Sequence, residues 1–259
     1  MSRHDMIKGI IPPIITPMNE DESFNEAEFR KQIERQIEGG VHGIFCYGTN
    51  GECYALNTQE KEEVLKAAVD QIKGRVPVYA GTGCITTKET VEMSKRAEAL
   101  GADILSVITP YFAAVSQEEL YEHYATVAEA VKIPIVLYNI PARTGCSIAP
   151  ETVARLAEID NIVGAKDSSG NWDNLKAYIE LTRDKDFAVI SGNDSLILSA
   201  LKEGGVGGIA GCANVYPHNM VAIYERFKAG RYPIALVSMD NCSKNGAKLR
   251  ESVLTMAEE

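Results

Sequence analysis

The chain is predicted to be an α/β protein, a (β/α)8 barrel with a short C-terminal helical extension. Three observations predict it. Short apolar, β-branched runs occur eight times along the 259 residues, each followed by a turn signal and a stretch of helical periodicity, which is the alternation of a parallel sheet. The runs lack alternating polarity, as expected of strands whose outer faces are covered by helices. No GxGxxG follows the first run, so the competing doubly wound sheet has no dinucleotide fingerprint to support it.

The first strand is placed at residues 9–15, ahead of a helix capped by Asn25. The second spans 43–47 and precedes a helix starting at Thr58, with Lys61 and Glu62 following. Strand three covers 76–80 with Thr86 as the next cap, and strand four covers 104–108 with Ser116, Glu118 and Glu119 opening its helix. Strands five, six and seven are placed at 135–139, 162–166 and 188–191, the last followed by a helix start at Asp194. Residues 207–210 form the eighth. Gly39, Gly101 and Gly204 fall near helix C-termini, where glycine takes a left-handed cap without a Cβ penalty. The barrel domain is assigned residues 1–229, and 230–259 a helical tail with one amphipathic stretch at 247–256.

A formal net charge of -10 argues against a nucleic-acid or anionic-membrane surface, since both need a positive footprint. A small acidic substrate remains compatible if one local cation binds it. The opening MSRHDMIKGI has no apolar stretch of signal length and no run has membrane-spanning length, so a cytoplasmic location is expected. The six cysteines lie far apart in a chain too large to need staples and are read as reduced thiols. His4, His42, His123 and His218 show no metal-ligand spacing, so no metal is expected, and His42 and His218 are assigned structural roles.

The active site of such a barrel lies at the C-terminal strand ends, and few reactive groups occur there. They are YGTNGE at 47–52, TPYF at 109–112, YNIPARTG at 138–145, Lys166 with Asp167, and SGND at 191–194. A lysine at the mouth is partly desolvated, which disfavours the ammonium form and frees the amine to attack a carbonyl. Pairing of Lys166 with Asp167 or a helix end is the alternative. Tyr138 could relay protons through a hydroxyl such as that of Thr49, or sit in the core with its OH on the backbone. The backbone N–H groups of Thr49 and Asn50 could cradle a carboxylate in place of forming a plain turn. Arg143 offers a bidentate fork to a carboxylate, against simple surface ion pairing.

In this order and spacing, GTNGE, YNIPARTG and the lysine of GAKDSSG resemble the dihydrodipicolinate synthase and N-acetylneuraminate lyase family of class I pyruvate-dependent aldolases, across roughly residues 7–229. The resemblance implies a TIM barrel and metal-free, cofactor-free lysine-imine chemistry on pyruvate, or on a 2-oxo acid that yields it. It makes Lys166 the Schiff-base lysine, Tyr138 the proton-transfer tyrosine, and Thr49 the hydroxyl linking that tyrosine to substrate. It gives the pyruvate carboxylate to the N–H groups of Thr49 and Asn50, places Gly192 and Ile209 in the pocket lining, and gives Arg143 the carboxylate of a second substrate, aspartate semialdehyde. Tyr111 and Phe112 become subunit-contact candidates in a homo-oligomer, a tetramer of tight dimers or a dimer. Phe112 departs from the family pattern, which has a tyrosine there to complete a proton relay from the neighbouring subunit. Asn50 replaces a threonine or serine, and Ile85 replaces the asparagine of lysine-inhibited synthases, which argues against lysine feedback. The tail is shorter than the family's C-terminal helices.

The expected function is therefore an enzyme that condenses pyruvate with an aldehyde, with aspartate semialdehyde the leading acceptor and a dihydrodipicolinate synthase activity the result. A 2-keto-3-deoxy sugar acid (or N-acetylneuraminate-type) aldolase releasing pyruvate is the alternative, favoured by Phe112 and the KDSSG form of the lysine motif. A non-catalytic oxo-acid-binding module is the third reading. Small-molecule partners are expected, with no nucleic acid and no membrane.

Overall fold

Pro12 and Pro13 have no N–H to place in a ladder, and strand β1 therefore stops at Gly9–Ile11, four residues short of the predicted end. The computed structural model describes residues 6–230. After β1 come α1 (Glu26–Glu38), β2 (Ile44–Cys46), α2 (Thr58–Ile72), β3 (Val78–Gly81), α3 (Thr87–Ala99), β4 (Ile104–Ile108), α4 (Gln117–Ala130) and β5 (Ile135–Asn139). A one-turn helix α5 (Pro141–Thr144) precedes α6 (Pro150–Leu156), β6 (Ile162–Asp167), α7 (Trp172–Leu181), β7 (Ala188–Ser191), α8 (Ile197–Glu203), β8 (Gly207–Ile209) and α9 (Pro217–Lys228). The helical stretch read at 247–256 and, past Gly230, the tail assigned to 230–259 lie outside the described residues.

All eight strands are parallel and run in the order β1-β8-β7-β6-β5-β4-β3-β2. The prolines still close the ring, because their carbonyls accept even though they cannot donate. Pro12 O accepts from Phe45 N–H at 3.0 Å, and Ile14 N–H donates to Phe45 O at 3.0 Å, so β1 meets β2 and the sheet becomes a (β/α)8 barrel. Inside lies a cluster that includes Ile11, Phe45, Tyr79, Ile104, Val136 and Ile190; the larger core fills the space between strands and helices.

Helix starts follow local capping chemistry. Asn25, Thr86 and Ser116 cap α1, α3 and α4 as the sequence predicts, and Ser116 forms a capping box with Glu119. Thr58 does not cap α2: the cap is Asn57, one residue earlier, whose side chain and Glu60 form the box. Asp194 starts a short 3-10 turn, but its carboxylate accepts from Gly211 and Cys212 N–H rather than capping. Gly101 and Gly204 are left-handed as expected, whereas Gly39 is right-handed (φ -68°) and Gly40 takes the turn. No disulfide involves Cys46, Cys53, Cys84 or Cys146, and burial raises all four thiols, Cys46 to about 12. Among the described residues no helix is long and apolar enough to cross a membrane, and no cluster of three or more His, Cys, Asp or Glu could hold a metal.

His42 is a structural histidine, as read. Its Nδ1 accepts from Ile10 N–H at 3.1 Å and its Nε2 meets Glu225 at 3.1 Å. His123 on α4 is different. Its Nδ1 lies 2.9 Å from Thr87 Oγ1, but Nε2 is buried without a partner, and burial lowers its pKa from 6.5 to about 4. The unfolded chain thus binds one more proton between these values, so the neutral ring contributes stability above pH 6.5 that is lost as pH falls through about 4. The loss is expected to reach up to about 3 kcal/mol. Chemical denaturation at neutral and acid pH checks this: His123→Gln should flatten the difference, and an unchanged pH dependence would reject the assignment.

Candidate active site

A one-residue irregularity in β6 sets the face of its lysine. Ile135 of β5 pairs with Ile162, but Val136 pairs with Gly164, so Val163 is an extra residue on the β6 side. From there Tyr138 pairs with Lys166, and Asn139 with Asp167. Lys166 faces the barrel interior, with Nζ 3.8 Å from the Tyr138 ring centroid and 5.4 Å from that of Phe45. It is 4% exposed and makes no ion pair among the described residues. Asp167, on the opposite face, is not its partner: the carboxylate accepts from Asn139 Nδ2 at 2.7 Å and from Ser169 Oγ at 2.7 Å. Burial pushes the Asp167 carboxyl above the usual range, against the pull of those hydrogen bonds.

The Tyr138 hydroxyl lies 3.0 Å from Thr49 Oγ1, which decides between the two readings of this tyrosine in favour of a side-chain hydroxyl partner. Thr49 is held there by a loop between two left-handed non-glycine residues, Tyr47 (φ 40°) and Glu52 (φ 56°). Such backbone costs on the order of 1–2 kcal/mol per residue and concentrates at functional loops. Neither Thr49 nor Asn50 N–H has an acceptor among the described residues, which leaves both donors available to an anion.

A cleft of about 490 Å³ opens at Thr49; Tyr138 lines a smaller void beside it, and Lys166 lines neither. Thr49, Asn50, Tyr111 and Arg143 line the cleft, so the structure brings four of the residues read from the sequence to one wall system. Arg143 rides on α5, the single turn that Pro141 starts and left-handed Gly145 ends; it is exposed and makes no ion pair among the described residues. Tyr111 is half-buried against the cleft, with its phenol raised chiefly by burial, and Phe112 next to it is 93% exposed with φ 79°.

Gly192 and Ile209 line neither this cleft nor the void beneath it. Gly192 stands behind the lysine, where an added Cβ would lie 1.9 Å from Ser168 Oγ and 2.8 Å from Lys166 Cε. Ile209 belongs to the interior cluster of the barrel. Lys61, Cys53 and Tyr54 line the cleft without having been singled out in the sequence. The available signal was position: Lys61 lies in the first turns of the helix that follows strand two, and such turns face the mouth of the barrel.

The model of the dihydrodipicolinate synthetase family matches residues 6–250. A 4-hydroxy-tetrahydrodipicolinate synthase of Methanopyrus kandleri is 46% identical over 226 residues, 86% of this chain and 75% of that protein. Among solved structures, a monomeric dihydrodipicolinate synthase variant superposes with a TM-score of 0.86 at 34% identity, covering 88% of this chain and 77% of that one. The chloride-inhibited dihydrodipicolinate synthase of Acinetobacter baumannii, complexed with pyruvate, gives 0.82 at 38% identity, covering 86% and 76%. With the fold, the family model and these relatives in accord, the chain belongs to the dihydrodipicolinate synthetase family.

Proposed function

We propose that this chain condenses pyruvate with aspartate semialdehyde through an imine at Lys166, as a 4-hydroxy-tetrahydrodipicolinate synthase. The observation that carries the reading is a buried lysine amine without an ion pair among the described residues, set against a tyrosine whose hydroxyl is 3.0 Å from a threonine hydroxyl. The names of the relatives support the same choice.

In this reading the free amine of Lys166 attacks the keto carbon of pyruvate, whose carboxylate sits on Thr49 and Asn50 N–H. One amine proton moves to the oxygen, giving a carbinolamine. Tyr138 donates a second proton, water departs, and the C=N bond forms with a positive nitrogen. Loss of a methyl proton then gives a neutral enamine and restores the Tyr138 phenol by way of Thr49. The enamine carbon bonds to the aldehyde carbon, the nitrogen becomes an iminium again, and the aldehyde oxygen takes the Tyr138 proton. Attack of the acceptor's own amine on the iminium carbon then releases Lys166 as the free amine, and the surplus proton returns to Tyr138. Arg143 holds the acceptor's carboxylate in a two-point grip that also orients it. Gly192 leaves the room that the lysine stem occupies, and Ile209 supports the interior layer below.

Borohydride with pyruvate tests the imine: an adduct on Lys166 is expected, and none at all would sink the mechanism. Phe112 favours the sugar-acid aldolase as a second reading, because a phenyl ring has no proton to relay. Arg143→Ala separates the two. A synthase should lose semialdehyde turnover by roughly 100-fold, the loss of a bidentate charge-assisted pair, whereas a sugar-acid aldolase should lose little. A homo-oligomer, dimer or tetramer, is proposed as well, supported by the exposed Phe112 ring; sedimentation as a monomer would reject it.

A further inference from the structure

Ser106 is the inward residue of β4 one step below Ile108, and Ile108 pairs with Tyr138. The serine is 1% exposed, and its hydroxyl is buried without a hydrogen-bond partner among the described residues. Orphaned hydroxyls in a protein interior are uncommon, because leaving one unmade costs about 1–3 kcal/mol. Thr109 Oγ1 is orphaned too, but it borders neither the cleft nor the void below it. Ser106 does: a narrow void of about 20 Å³ is bounded by Ser106, Thr49, Tyr138, Phe45 and Gly81. That volume suits one water, and Ser106, Thr49 and Tyr138 are three of the four hydroxyl-bearing residues around it, the kind of polar partners a buried water needs.

We propose that Ser106 holds a single water against the Tyr138–Thr49 pair and so positions a proton path that serves imine formation at Lys166. The inference rests on the imine reading above. When Tyr138 gives its proton to the departing oxygen, the phenolate must be stabilised until the methyl proton of the iminium returns. A water donating to the phenolate oxygen and accepting from Ser106 Oγ does this without any net proton being gained or lost. Phe112 offers no hydroxyl for the same task. Ser106 is thus a positioning residue, acting through water on a residue that touches substrate.

The test is the rate of imine formation with pyruvate, trapped by borohydride in single turnovers across the neutral to alkaline range, in Ser106→Ala and Ser106→Thr. The alanine variant is expected to slow the step about tenfold, the rate equivalent of one hydrogen bond, and to move the alkaline limb of the profile, with KM for pyruvate unchanged. The threonine variant keeps a hydroxyl and should restore both. A merely structural serine predicts the reverse: unchanged kinetics with equal or higher thermal stability, because an orphaned group has been removed. Wild-type rate and profile in Ser106→Ala would overturn the proposal, as would a threonine variant no better than alanine. If the wild-type protein forms no adduct, it is the imine reading that fails, and the two failures are therefore distinct.

Discussion

Lys166→Ala is expected to abolish the pyruvate adduct and to lower turnover by about 10⁴-fold or more, the scale seen when a covalent nucleophile is removed. Folding should survive. The lysine is buried with no ion pair among the described residues, so its removal takes an uncompensated polar group out of the interior and leaves the surrounding ladder intact. The melting temperature should be unchanged or higher, which is the signature of a group kept for chemistry at the expense of stability. Mass spectrometry after borohydride and a calorimetric scan check the two halves. An adduct that survives in the variant would place the imine on another amine and undo the assignment.

Gly207→Ala is the second large effect, and it is one of stability. A Cβ at this position would lie 2.1 Å from Gly9 O and 2.6 Å from Gly9 N, both backbone atoms of the neighbouring strand. No side-chain rotation relieves that contact. Relief requires parting β1 from β8, whose register runs Gly9 to Gly207, Ile10 to Gly208 and Ile11 to Ile209. A cost of about 3 kcal/mol or more is expected, beyond ordinary overpacking, and in a chain of this size a fall in Tm of roughly 10 °C. Thermal unfolding would refute the account if the variant melted within experimental error of the parent.

The eight strands were legible because a strand covered on both faces is a bare apolar run. Their ends were less so. The apolar character of 9–15 continues past the point where two prolines withdraw the donors, and hydrophobicity does not register a missing N–H. The α2 cap moved from Thr58 to Asn57 because both residues can cap and only the reach of Glu60 decides between them. Lys166, Tyr138 and Thr49 could be read because each ends a strand or opens the loop after one. Lys61 could be found only by its place in the first turn of a helix, and Ser106 could not be read at all, since it depends on a void that only packing creates. Phe112, flagged from its residue type alone, proves to be held in left-handed backbone with its ring in solvent.

The extra residue in β6 has a consequence for how this protein tolerates insertions and deletions. Side chains on a strand alternate between faces, so the count of residues before Lys166 decides whether it meets Tyr138 or the surrounding helices. Deleting Val163 would leave Ile162 opposite Ile135, Gly164 opposite Val136 and Lys166 still opposite Tyr138, because the residue removed is the unpaired one. An inserted residue carried through the ladder would instead set Ala165 opposite Tyr138 and Lys166 opposite Asn139, on the face that meets the helices. The strand thus absorbs a shortening at 163, while a lengthening there removes the catalyst. The loops bearing Arg143 and Phe112 follow no such counting rule, so a change there alters what the cleft grips and leaves the lysine in its place.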